Sequence, residues 1–168
     1  MVPNRDKGTT DDEWRAQLTE AEFRVLRRRG TEPRGGEYDE FYPTRDEGFF
    51  ACRGCMNPLY SSASKFAAGC GWPAFDKCYK GAVEIATDTS QGVAAIEITC
   101  AKCAGHLGHV IVGEQMTATN ERHCVNSLSI RFVKECLPRE EEPSQATVTD
   151  ASTAPRPPPR VCMPCSTK

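Results

Sequence analysis

The chain has almost no excess of charge of either sign: 21 Lys and Arg stand against 23 Asp and Glu over 168 residues, giving a net charge of -2 and a pI near 6.0. No long basic run occurs, so the electrostatic footprint that nucleic acid needs is missing and nucleic acid is not an expected partner. Apolar runs of membrane-spanning length are also lacking, which removes a spanning helix from consideration. The opening stretch "MVPNRDKGTTDDEW" holds no apolar segment and carries Asp6, Asp11, Asp12 and Glu13. That composition argues against a secretory signal and weakens a transit-peptide reading. Aromatic residues stop before residue 138: positions 138–168 contain seven prolines and no Phe, Trp or Tyr. Such a segment cannot build a core and is expected to be a disordered tail.

Cysteine is what the chain has in plenty, with ten copies. Without an export signal, that density points to a reducing compartment and to metal or redox chemistry more than to a disulfide framework. Cytosol is the expected location, with the mitochondrion a second choice that the N-terminus does not support. A length of 168 residues at 39% hydrophobic content suits one globular domain with tails. The expected division is a flexible stretch at 1–9, a domain at 10–137, and a Pro-rich tail at 138–168 that ends in "CMPC", the whole acting as a monomer.

Thr10 with Glu13 and Thr19 with Glu22 are two capping-box patterns, which predict two short helices between residues 10 and 30. Trp14, Leu18, Ala21 and Val25 would share a face if the helical spacing ran on, and Gly30 would end the second helix. Beyond residue 31 come short apolar runs broken by Gly, Pro, Asn and Asp: "FFAC" (49–52), "AVEIAT" (82–87), "VAAIEITC" (93–100), "HVIV" (109–112) and "CVNSLSIRFV" (124–133). These read as strands of a mostly antiparallel fold. Ala95, Glu97 and Thr99 alternate with Ile96, Ile98 and Cys100, so one face of that strand is expected to be wet.

Two C-x-x-C pairs, Cys52/Cys55 and Cys100/Cys103, lie 44 residues apart. Each such turn aims two thiolates at one point, and two turns joined by sheet pairing make the tetrahedral sulfur site that zinc favours. Redox dithiols, or four plain buried cysteines, are the competing readings. A redox C-x-x-C wants a helix N-terminus, and neither pair precedes a helical pattern. A mixed site from Cys100, Cys103, His106 and His109 is a further alternative, but it strands Cys52 and Cys55, and its H-x-x-H is short of the usual spacing.

With those four set aside, "GCGWPAF" (69–75), "GHLGHV" (105–110) and "RHCVNS" (122–127) supply a nucleophile, a second thiol, two imidazoles, an amide and a large apolar ring. That is the inventory of a thiol-based active site. With "EWRAQLTEAEFRVLRRRGTE" and "DTSQG", and in this order across residues 12–134, these stretches resemble the B-type methionine sulfoxide reductases. The resemblance implies a mainly β (α+β) fold of two small antiparallel sheets with short N-terminal helices, stapled by one structural zinc ion on Cys52, Cys55, Cys100 and Cys103. It implies Cys124 as nucleophile, Cys70 as resolving thiol, Trp72 against the substrate methyl, and His106, His109 and Asn126 on the polar side of the pocket. The substrate would be oxidised methionine in peptides or proteins, and the reductant a thioredoxin-like dithiol. Arg122, His123 and the two pocket imidazoles are candidates for the positive surroundings that a reactive thiolate requires.

Two other function classes stand beside this one. A zinc-ribbon binding module would use four cysteines and leave the rest idle, while a thiol peroxidase or redox sensor would use Cys124 without a thioether. Trp72 favours the thioether. Cys78, close in sequence to Cys70, reads as a plain partly buried cysteine with a second resolving thiol as the alternative, Cys162 and Cys165 as bystanders or an adventitious metal site with a disulfide shuttle as the alternative, and Cys136 receives no role.

Overall fold

The computed structural model describes residues 6–89, 92 and 95–144. Both capping boxes are present. The Thr10 hydroxyl accepts from the Glu13 amide and the Thr19 hydroxyl from the Glu22 amide, while each glutamate accepts from its threonine's backbone N–H. They open α1 (Asp11–Arg15) and α2 (Glu20–Arg28), and each threonine cap contributes about 1 kcal/mol. The second cap restarts the helical rotation, so the expected four-residue face is not formed. Trp14 and Val25 are buried and Leu18 partly so, but Ala21 is exposed and Phe23 and Leu26 complete the inner face of α2. The left-handed residue that ends α2 is Arg29, at φ 55°, and not Gly30, whose N–H bonds the Arg24 carbonyl.

Among the described residues eleven strands follow: β1 (Phe49–Cys52), β2 (Pro58–Ser61), β3 (Lys65–Phe66), β4 (Ala74–Phe75), β5 (Cys78–Tyr79), β6 (Val83–Asp88), β7 (Ala95–Cys100), β8 (His106–Val112), β9 (Glu121–Val125), β10 (Ile130–Val133) and β11 (Glu141–Glu142). They make a six-stranded sheet in the order β3-β4-β9-β8-β7-β6, a three-stranded sheet β10-β1-β2, and a short β11-β5 ladder, all antiparallel. The expected mainly β fold with small antiparallel sheets and short N-terminal helices is therefore what the chain adopts. Among the described residues no helix is long and apolar enough to cross a membrane.

Three local expectations are corrected. "CVNSLSIRFV" is not one strand: a 3-10 turn at Ser127–Ser129 breaks it and carries the chain from the six-stranded sheet to the three-stranded one. β8 starts at His106, so the whole "HLGHV" motif is strand. The face of β7 expected to be wet holds Glu97 at 3% exposure. Its carboxylate is buried against charged partners described below.

The core lies between the two larger sheets. The Phe50 ring sits edge-on to Tyr38 at 5.6 Å and to Phe75 at 5.1 Å, and Tyr60 stacks on Phe75 at 4.2 Å. Each such aromatic pair adds about 0.5–1.5 kcal/mol beyond the area it buries. The expected domain end at Leu137 falls short of the ordered structure: Glu141 and Glu142 pair with Tyr79 and Cys78, and the Ser144 amide donates to Glu121. Glutamates at 141 and 142 suit an edge strand because only their backbone enters the ladder. Cys78 is buried against the Glu142 carbonyl, and burial pushes its thiol up to about 12. Residues 1–5 and 145–168, with Cys162, Cys165 and the rest of the expected tail, lie outside the described residues.

Candidate active site

β9 is paired on both sides, and its register fixes what surrounds Cys124. Cys124 stands opposite Ala74 of β4 and opposite His109 of β8. His109 in turn stands opposite Glu97 of β7. Directly paired residues share a sheet face, so Glu97, His109 and Cys124 line up across three strands.

His106 is three residues before His109, a spacing that would send it to the other face of a regular strand. A β-bulge prevents this. Ile98 pairs with Gly108 but Thr99 pairs with His106, leaving Leu107 as the extra residue on β8. The bulge returns His106 to the face of Thr99 and Glu97, where the two imidazoles meet edge-on at 5.4 Å. Between them Gly108 keeps the strands close: a Cβ there would lie 1.9 Å from the Cys124 carbonyl oxygen.

Charged partners set the state of these groups. His106 is 2% exposed, its Nδ1 is 2.7 Å from Glu97 Oε1, and its Nε2 has no hydrogen-bond partner among the described residues. Arg29 grips the same carboxylate through Nε and a second guanidinium nitrogen. Burial holds the imidazole below its ordinary pKa in spite of Glu97. Burial alone would raise Glu97, but the hydrogen bonds from Arg29 and His106 prevail and keep it ionised. His109 Nε2 lies 3.6 Å from Asp88 Oδ2.

The Cys70 and Cys124 thiols are electrostatically coupled, so the first proton leaves the pair easily and the second with difficulty. The first loss is drawn down to about 6, by the neighbouring Cys124 and then, against burial, by the Trp72 backbone and the Arg122 guanidinium. Arg122 is held by Glu114 in two bonds of 2.6 and 3.0 Å. His123, by contrast, is on the back of the sheet at 0% exposure, between Glu121 and Tyr60. It contributes nothing positive at Cys124, which corrects that expectation: adjacent residues on a strand face opposite ways.

Trp72 and Asn126 meet at Glu32, which the sequence offered no reason to single out. The Trp72 indole N–H donates to the Glu32 carbonyl, and the Glu32 amide donates to Asn126 Oδ1. The Glu32 carboxylate accepts the Ser127 and Leu128 amides at 2.5 and 2.9 Å, capping from afar a 3-10 turn that Asn126 does not cap. The Asn126 Nδ2 donates to the Leu107 carbonyl at 2.9 Å. Both ends of that amide are therefore engaged with backbone, and Asn126, the residue after β9, clasps β8 to the Glu32 backbone. Glu97 could have been noticed in the sequence as a carboxylate between Ile96 and Ile98.

The four C-x-x-C thiols converge in a second place. The two turns are alike: Met56 and Ala104 each follow the second cysteine with φ near 60°, and each donates to the carbonyl of the first. Cys52 and Cys103 sulfurs are 3.7 Å apart, Cys55 and Cys100 sulfurs 3.6 Å, and all four lie within 4.8 Å of one another in a buried cluster that can hold a metal ion. His106 is committed to Glu97 and is not in this cluster, which sets aside the mixed Cys/His site.

The fold thus presents two thiols, Cys70 and Cys124, beside a pair of imidazoles, and a separate four-cysteine cluster that could hold a metal ion. The SelR domain family matches residues 18–134, and the chain belongs to that family. Peptide methionine sulfoxide reductase B9 of Arabidopsis thaliana is 52% identical over 124 residues, covering 73% of this chain and 83% of the relative. The B5 protein of Oryza sativa subsp. japonica is 52% identical over 128 residues, covering 75% and 90%, and the B4 protein of Arabidopsis thaliana 54% over 125 residues, covering 73% and 86%. The kinship expected from the motifs with B-type methionine sulfoxide reductases holds.

Proposed function

We propose that the protein reduces the R epimer of methionine sulfoxide, in peptides or proteins, with Cys124 as nucleophile and Cys70 as resolving thiol. The observation that carries this reading is the Cys124 thiol, coupled to Cys70, on a sheet face that it shares with two imidazoles, in a chain whose relatives are named for the activity. The Cys124 thiolate attacks the sulfoxide as its oxygen takes up a proton. The Cys124 sulfur bonds to that oxygen as the methionine sulfur–oxygen bond breaks, methionine leaves with the electron pair of the broken bond, and Cys124 is left as a sulfenic acid. Cys70 then displaces that oxygen as water, forming the Cys70–Cys124 disulfide. An external dithiol of the thioredoxin kind takes over the oxidation and restores both thiols. Trp72 supplies an apolar wall for the substrate methyl.

Cys52, Cys55, Cys100 and Cys103 would hold one zinc ion. Zn–S bonds of about 2.3 Å in a tetrahedron place sulfurs about 3.8 Å apart, close to the 3.6 and 3.7 Å separations here. Four thiolates leave no open position, so the ion would stabilise the fold, by on the order of 10 kcal/mol, and take no part in the reduction. The reading includes a monomer in a reducing, cytosolic setting.

The test is turnover with dithiothreitol of the separated R and S epimers and of hydrogen peroxide. Turnover of the R epimer alone is expected. Consumption of peroxide without reduction of either epimer would make the protein a peroxidase instead.

A further inference from the structure

Resting on the reading above, we propose that Glu97, clamped by Arg29, is a positioning residue that fixes the His106 ring with Nδ1–H on the carboxylate and Nε2 directed to the oxygen being removed. Three independent features lead there. The Leu107 bulge exists on the strand that needs it, and without it His106 would face away from Cys124. Glu97 is 3% exposed and His106 2%, so this is a buried carboxylate set against a buried imidazole and not a solvated surface pair. The ring's other nitrogen is buried with no partner among the described residues, which is costly unless something polar comes to it. A sulfoxide oxygen, which can only accept, is such a group when the ring carries a proton on Nε2 as well as on Nδ1.

Arg29 has its own part. The residue that closes α2 takes the left-handed conformation although a glycine follows it, and its side chain reaches 68 positions along the chain to Glu97. The guanidinium keeps the carboxylate ionised. The carboxylate can then accept the Nδ1 proton in both states of the ring, and the ring can give a proton from Nε2 while retaining the one on Nδ1. The charged and titratable groups facing His106 are Glu97 from β7, His109 from β8 and Arg29 from the end of α2, with Asp88 of β6 beyond His109.

The test uses the full-length, metal-loaded protein and three substitutions. Glu97→Gln keeps the shape and removes the charge. Its kcat on the R epimer is expected to fall about ten-fold or more, with little change in KM, as for loss of an outer partner that orients a working histidine. The alkaline limb of its pH profile should move to lower pH by about one unit, because the imidazolium has lost its counter-charge. Arg29→Ala, at a residue whose side chain is half exposed, should lower kcat a few-fold, and Arg29→Lys should restore most of it. Nitrogen-15 spectra of the His106 ring read the geometry without turnover: the wild-type neutral ring should carry its proton on Nδ1. A proton on Nε2 instead, or folded Glu97→Gln and Arg29→Ala proteins with unchanged kcat and pH profile, would overturn the proposal. Failure of the wild type to reduce the R epimer would instead overturn the functional reading, leaving the ring spectrum to judge the geometry.

Discussion

The six-stranded sheet carries the same pair twice, once on each face. On the back, His123 touches Glu121 at 2.8 Å through Nε2 and Tyr60 at 3.2 Å through Nδ1, and Glu121 also accepts the Ser144 amide. On the front, His106 touches Glu97 at 2.7 Å through Nδ1 and leaves Nε2 unmatched among the described residues. Both histidines are buried and both carboxylates are held below their ordinary pKa despite burial. What separates them is satisfaction: the back ring has a partner on each nitrogen, and the front ring has one nitrogen to spare. A histidine–glutamate pair is thus no mark of chemistry by itself. Its unfilled hydrogen bond is.

The strongest way to break this comparison is at the sulfur that only the front possesses. Cys124→Ser should reduce turnover of the R epimer below detection. Cys70→Ser should release about one methionine per protein in a single turnover and then stall as a sulfenic acid that dimedone traps, because condensation with a second thiol is what clears that species. Sustained thioredoxin-driven turnover by Cys70→Ser would move the resolving role elsewhere. Cys78 is a poor substitute, being buried and hydrogen-bonded to the Glu142 carbonyl.

The back pair should answer in stability. Glu121→Ala strands a buried imidazole and is expected to cost about 3–5 kcal/mol by urea denaturation, with kcat per folded molecule unchanged. A large fall in kcat at constant stability would erase the distinction between the two faces. The pH dependence follows from the lowered Glu121 carboxyl, for which burial is outweighed by His123 and the Ser144 amide. Its contribution is fully present above the unfolded carboxyl pKa and is lost as pH falls through the lower folded value. Acid titration of the melting temperature should therefore be flatter in Glu121→Gln than in the wild type.

Smaller effects sharpen the picture at Arg122. Glu114→Gln frees the guanidinium from its bidentate partner. The first ionisation of the thiol pair, drawn to about 6 in the wild type, should then drop by a few tenths of a unit, as for a partly exposed charge pair. Iodoacetamide alkylation rates across pH measure it, and an upward shift would contradict the role given to Arg122.

The sequence made some of this legible and hid the rest for identifiable reasons. The capping boxes at Thr10 and Thr19 and the two C-x-x-C turns are local patterns whose partners lie within four residues, so they could be read directly. The front and back of β9 could not. "RHCVNS" reads as one cluster, yet pairing sends Cys124 to the reacting face and His123 to the core. The H-x-x-H spacing misleads in the opposite way, because the bulge at Leu107 undoes ordinary strand alternation. Glu32 and Arg29 act through contacts 94 and 68 positions distant, and nothing in their neighbourhoods announces it. Residues 141–144 were assigned to a tail on composition, although a backbone ladder and one amide suffice to dock them.

Of the two sulfurs that would join and part in each cycle of the proposed reaction, one is held more tightly than the other. Cys124 is laced between β4 and β8, and the contact that Gly108 permits at its carbonyl leaves no slack there. Cys70 stands between Gly69 and Gly71, both in the left-handed region at φ 67° and 89°, on a stretch without ladder partners. On the proposed mechanism the two would act as an anvil and a hammer: the Cys124 sulfur would stay still while the loop bearing Cys70 made the stroke, and stiffening that loop should slow the closing of the disulfide while leaving the first attack on substrate at full speed.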